Sequence, residues 1–174
     1  MKLALQHIKN SSILTTVIGF SLLFFCAQVS IPIQPVAITL HTVAMLVIGL
    51  TFSKADAIRS VTSYLMIGAL GAPVFANFSG GIAKLISPAG GYYFGFLVAV
   101  WLMCSLRERF STTNTKEMLL IAFAGQTALY VCGILWLCAY MSPDKAIAVG
   151  LMPFIIPGLV KSVFVASIVG YVKK

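Results

Sequence analysis

The chain has 174 residues, 60% of them hydrophobic and only 9% charged, with a formal net charge of +8 and a mean hydropathy of +1.01. Soluble domains carry roughly 25% charged residues, so this composition excludes a water-soluble fold and suits a single integral membrane domain over residues 1–174. Nor does the positive charge point to nucleic acid, because the basic residues form no patch with interleaved aromatics and sit at the ends of apolar runs.

A helix needs about 20 mostly apolar residues to cross about 30 Å of hydrocarbon. The first candidate span is 11–30. Lys2 and Lys9 precede it in the manner of a signal peptide, but the apolar stretch is long for an h-region and no A-x-A site follows, so the segment is expected to remain as a helix. Ser11, Thr15 and Gly19 place small residues on one face of it, for packing inside a bundle or for docking a membrane partner. The next stretch, 30–41, is apolar and stiffened by Pro32 and Pro35. It is either an ordinary connector or an outer loop that lies over or dips into the bundle, where protein would have to bury its irregular backbone.

The second span, 38–52, is short, and the third is 57–74. A glycine-rich segment follows over 71–93, with Asn77, Ser79 and Lys84 as donors and acceptors. Its composition suits a mobile lid or the wall of a ligand site, and it lacks either phosphate-loop pattern. The fourth span is 90–106, where Gly91 and Gly95 put a close-packing face on one side. The fifth is 118–141, and the sixth runs from about 145 to 172, interrupted by Pro153 and Pro157 with Gly158 after them. A break of this kind frees backbone groups that can hold a substrate at membrane depth, although proline kinks are also common in membrane helices.

Six spans make sense of the charges. With the N-terminus inside, the inner segments hold Lys2, Lys9, Lys54, Arg59, Arg107, Arg109, Lys116, Lys173 and Lys174, and the outer segments only Lys84 and Lys145. Lys161 is left over, deep in the sixth span, with about 18 Å of helix between it and the far end of the segment. That is a long way to snorkel. A charge at such depth costs about 2.5–3.5 kcal/mol on insertion scales and marks a functional site.

Asp56, Glu108, Glu117 and Asp144 all fall in loops or at span ends, so no acid–base pair lies in the membrane. His7 is terminal and His41 isolated, which leaves no metal-ligand spacing; His41 is then a satisfied polar residue or a ligand contact. Cys26, Cys104, Cys132 and Cys138 form no CxxC pair and are expected as small buried hydrophobes. An enzyme, a cofactor and self-supplied ATP hydrolysis are therefore not expected. One buried cation with amides and aromatics in an apolar setting suits a small amphipathic anion, such as a carboxylate-bearing vitamin.

Three stretches resemble the BioY family, the biotin-binding S components of energy-coupling factor transporters: Ile31-Pro-Ile-Gln-Pro-Val-Ala-Ile-Thr-Leu, Gly71-Ala-Pro-Val-Phe-Ala-Asn-Phe-Ser-Gly-Gly and Ser87-Pro-Ala-Gly-Gly-Tyr. Pro153-Phe-Ile-Ile-Pro-Gly-Leu-Val-Lys161 follows them in the family's order. The resemblance implies an all-α membrane protein, a six-transmembrane-helix bundle with an apolar outer loop between helices 1 and 2 and a proline-broken sixth helix. It also implies biotin captured near the outer side of a bacterial cytoplasmic membrane, with both termini cytoplasmic. Partners would be an EcfT-type membrane protein and two ABC-type ATPases. Asn77 and Lys161 carry over as ligand-binding residues, with His41, Tyr92 and Gln126 as secondary candidates. The chain departs from the family pattern at Gly158, where an aspartate usually stands three residues before the lysine, at His41 in place of a glutamine, and at Ser87-Pro-Ala in place of Gly-Pro-Thr. Alternatives are an S component for another vitamin or a biotin precursor, or a membrane interaction protein that transports nothing.

Overall fold

The computed structural model describes residues 12–31, 35–110 and 114–172. The chain is mostly helical. The α-helices among the described residues are α1 (Ser12–Gln28), α2 (His41–Thr51), α3 (Lys54–Ala69), α4 (Ile82–Leu85), α5 (Gly90–Phe110), α6 (Thr115–Leu137), α7 (Pro143–Gly150) and α8 (Met152–Val172). Among the described residues, three segments are long and apolar enough to cross a membrane: Gly90–Phe110, Thr115–Leu137 and Pro143–Val172, the last made of α7 and α8 together. Local chemistry sets several boundaries. Ser53 caps α3 by accepting the Asp56 amide at 3.2 Å, Asn114 caps α6 by accepting the Lys116 amide at 3.1 Å, and Pro143 opens α7 where its missing N–H is harmless.

The six longer helices alternate in direction. At one end Ser12 bonds Asp56 and Arg59, Arg107 bonds the Phe52 carbonyl and Gly170 packs on Thr115. At the other end Trp136 Nε1 donates to the Ser87 carbonyl at 3.0 Å, and the Tyr92 hydroxyl donates to the Gly150 carbonyl at 2.6 Å. Lys54, Arg59, Arg107, Arg109 and Lys116 therefore collect at the first end, and Lys84 and Lys145 at the second. The charge sorting read from the sequence has this geometric counterpart; Lys2, Lys9, Lys173 and Lys174 lie outside the described residues.

Glycine-mediated contact builds the core. The α5–α6 pair is the most extensive in the bundle. Gly91 lies against Trp136 and Cys132 and Gly133 of α6 against the Tyr92 ring, each with no room for a Cβ, and Gly95 lies tightly against Leu129 and Cys132. The Gly91–Gly95 face thus serves packing inside the chain. Gly19 of α1 is likewise buried, against Ser60 and Phe52; Ser11 lies outside the described residues. Met103 is fully buried between Gly49 of α2 and Gly125 of α6.

Several sequence expectations need correction. The second span does not run as a helix from 38. Ile38–Thr39 is a strand (β2) paired antiparallel with Ser30–Ile31 (β1), and α2 begins only at His41. With 11 residues it rises about 16 Å, half the hydrocarbon thickness. The interruption in the last segment lies at Leu151, between α7 and α8. Pro153 explains it, since an unbroken helix would need a Pro153 amide to donate to the Val149 carbonyl. Pro157, by contrast, sits inside a helix that continues through it. Lys161 therefore lies well beyond the break. Of the cysteines, Cys104 is buried but Cys138 is exposed.

Because Met103 fills the space that two glycines leave, Met103→Ala is expected to lower stability by about 2–5 kcal/mol. A fall in the unfolding midpoint of detergent-solubilised protein measures this, and Met103→Leu should recover most of it.

Candidate functional site

At the end away from the basic cluster, the β1–β2 hairpin, the 71–89 segment and the halves of α5, α6 and α8 nearest that end enclose a cavity of about 270 Å³. Its wall includes Val36 and Thr39 from the hairpin, His41 and Thr42 from α2, Asn77 and Lys84 from the glycine-rich segment, and Tyr92, Tyr93 and Phe96 from α5. Leu129 and Tyr130 of α6, with Phe154, Gly158 and Lys161 of α8, complete it. An apolar, aromatic wall with a few convergent polar groups is the form that small-molecule sites take.

Lys161 projects from α8 toward the hairpin. Its Nζ donates to the Thr39 carbonyl at 2.6 Å and to Thr42 Oγ1 at 3.1 Å. An ammonium has three donors, so one is left over for a ligand. Lys84 is exposed at the cavity's edge. The exposed carboxylates Glu108, Glu117 and Asp144 lie at helix ends, and among the described residues no carboxylate lines the cavity.

Asn77 is held in a left-handed conformation, φ 59° and ψ 40°, which asparagine tolerates better than most residues. Its Oδ1 accepts from Ser30 Oγ at 2.8 Å, leaving the side-chain amide as a donor. The segment around it is tied down by Gln28 at the end of α1. Gln28 Nε2 lies 3.3 Å from both the Val74 and Phe75 carbonyls, and its Oε1 accepts the Phe78 amide at 2.9 Å. The Phe75 ring is fully buried between Tyr64 and Tyr93. Of the two expectations for the glycine-rich stretch, a mobile lid or a wall, the wall is the one that fits, and it is wired to the first helix.

His41 is buried, and its Nε2 lies 2.6 Å from the Tyr64 hydroxyl. That hydroxyl donates its single proton to the Val74 carbonyl at 2.9 Å. Nε2 must then be the protonated nitrogen, and Nδ1, which has no partner among the described residues, is an acceptor. Tyr92 offers the cavity its ring, because its hydroxyl is spent on Gly150. Gln126 is the secondary candidate that does not line the cavity. It lies one layer behind, accepting from Ser162 Oγ and donating to the Tyr130 hydroxyl at 2.7 Å.

Asn77, Lys161, His41 and Tyr92 are therefore brought together from four separate elements. Sequence reasoning missed Tyr130, Thr39, Thr42 and the anchoring role of Gln28. Polar side chains inside apolar helices are costly unless paired, and Gln126 and Tyr130, one turn apart on α6, were a readable signal of this kind.

The family model described as the BioY family matches residues 2–174. A probable biotin transporter BioY of Rickettsia prowazekii is 36% identical over 161 residues, covering 92% of this chain and 82% of the relative. The biotin transporter BioY of Thermotoga maritima is 36% identical over 149 residues, covering 85% and 87%. A crystal structure of the S-component for biotin from an ECF-type ABC transporter superposes with a TM-score of 0.87 at 22% identity, covering 97% of this chain and 92% of the other. That likeness establishes the fold.

Gln28 makes the main side-chain tether of the Asn77 wall. Gln28→Leu is expected to speed hydrogen exchange at the Phe78 amide by roughly tenfold, the worth of one net hydrogen bond of about 1 kcal/mol or slightly more. Unchanged exchange would mean that the segment holds itself in place.

Proposed function

The chain belongs to the BioY family, and from that premise we propose that it is the subunit of a vitamin uptake transporter that captures biotin in the cavity lined by Asn77 and Lys161. It is an integral membrane protein. The observation that carries the reading is the convergence of Lys161, from the middle of the last helix, and Asn77, from the glycine-rich wall, on one enclosed cavity. A half-buried lysine in an apolar wall is expensive, and topology gives no reason for it.

Biotin has a carboxylate at one end and an uncharged ureido ring system at the other. The carboxylate loses least hydration where water still reaches it, beside the exposed Lys84. The ring system then occupies the enclosed end, among Tyr92, Tyr93, Phe96 and Phe154. There the remaining Lys161 proton and the Asn77 amide can donate to the ureido carbonyl, and the His41 Nδ1 lone pair can accept.

The six longer helices form the six-span bundle in this reading, with α2 crossing in company with the hairpin that precedes it. The basic end faces the cytoplasm with both termini, in a bacterial cytoplasmic membrane, and the cavity opens outward. The whole chain is one domain. It carries no nucleotide-binding motif and acts as a binding and translocating subunit, not as an enzyme. Energy comes from a separate module, an EcfT-type membrane protein with ABC-type ATPases.

Equilibrium binding of labelled biotin to detergent-purified protein tests this. Tight binding is expected, falling at least tenfold in Lys161→Ala and in Asn77→Ala, each of which removes a donor from the ureido carbonyl. Lys84→Ala should weaken it only up to about fivefold, as befits an exposed charge pair. Saturable binding of another vitamin in place of biotin would reassign the substrate. Binding of none, with both variants otherwise normal, would make the chain a membrane interaction protein.

A further inference from the structure

Gly158 lies on the cavity wall where a side chain has nowhere to go. A Cβ there would collide with Gln126 Nε2 and with the Tyr130 hydroxyl. The space into which residue 158 would project is thus filled by two polar groups from the neighbouring helix α6. Their arrangement is directional. Ser162 Oγ donates to Gln126 Oε1, Gln126 Nε2 donates to the Tyr130 hydroxyl at 2.7 Å, and that hydroxyl donates to the Phe154 carbonyl at 2.9 Å. Phe154 and Ser162 both belong to α8, one turn to either side of Gly158, so the pair is clamped from both directions.

A phenol oxygen has one proton and two lone pairs. In Tyr130 the proton goes to Phe154 and one lone pair to Gln126, which leaves one lone pair on a residue that lines the cavity. We propose that the Tyr130 hydroxyl is the acceptor that reads an N–H of the ligand, and that Gln126 and Gly158 are positioning residues that hold it at the wall. This rests on the biotin reading, in which the N–H groups of the ureido ring are the donors.

The arrangement also explains how the site does without an acidic side chain at 158. A carboxylate there would sit one turn from Lys161 and pair with it. With glycine at 158, the Lys161 ammonium is directed to the Thr39 carbonyl and Thr42 Oγ1, and a neutral acceptor faces the ligand. The wall then favours an N–H donor that is itself uncharged.

The test is a cycle between protein and ligand, run by equilibrium binding with purified full-length protein, biotin, and biotin methylated on its ureido nitrogens. Wild type is expected to bind biotin at least tenfold more tightly than the methylated compound. Tyr130→Phe, whose unfolding midpoint falls with the two hydrogen bonds it gives up, is expected in its folded fraction to lose about tenfold for biotin and little for the methylated compound, so that the discrimination falls by about that factor. Gly158→Ala, which displaces the same hydroxyl, should reduce the discrimination in the same way and gives a second route if Tyr130→Phe does not fold. Equal affinity of wild type for the two ligands overturns the assignment without any variant. Discrimination that is undiminished in Tyr130→Phe overturns it as well. If wild type binds neither compound, the biotin reading itself falls and takes this one with it.

Discussion

The hydrogen bond from the Lys161 ammonium to the Thr39 carbonyl, at 2.6 Å, is the constraint on which the site depends. A cation in an apolar wall must find acceptors, because the surrounding lipid and side chains offer none. The acceptors it finds belong to the hairpin that follows α1 and to the start of α2. One bond therefore joins the last helix to the first loop and shuts one side of the cavity. In the proposed site, a ligand that offered a further acceptor would meet an ammonium already held in place, with little conformational freedom left to lose on binding.

The same rule governs the other polar groups of the apolar interior. Gln28 holds the Asn77 segment, His41 and Tyr64 share a chain that ends on Val74, and Gln126 with Tyr130 clamps α6 to α8. Each side chain is buried or half-buried, and each connects two elements distant in sequence. Around them the scaffold is made by glycines that let Met103, Tyr92 and Trp136 approach neighbouring backbones. Close packing supplies rigidity, and the polar chains fix which walls of the cavity face one another.

Much of this was legible in the sequence for simple reasons. Charge sorting depends only on which residues lie between apolar runs, and an unexplained lysine inside a run stands out by its cost. The boundaries of the second span were not legible, because Ile38 and Thr39, both β-branched, can open an apolar span or build a strand, and only pairing with Ser30–Ile31 decides between them. The position of the break was half legible. Pro153 does interrupt the helix, but Pro157 looks equivalent in sequence and is accommodated within α8. Gln126 was a sound candidate for a polar role and stands one layer behind the wall, a distinction that depends on which way one face of α6 is turned.

By itself the sequence determined that the chain is a membrane protein, how its charged ends are sorted, and that Lys161 is a charge without a topological reason, since hydropathy, charge and motif order are properties of the chain read in line. Tertiary structure alone decided that Lys161 and Asn77 meet in one cavity with His41 and Tyr92, that the glycine-rich segment is a wired wall, and that the polar group beside Gly158 comes from Tyr130 on another helix. The physical reason is that the partner of a buried polar group, and the space left by a glycine, are set by whichever element packs there, and that element lies far away along the chain.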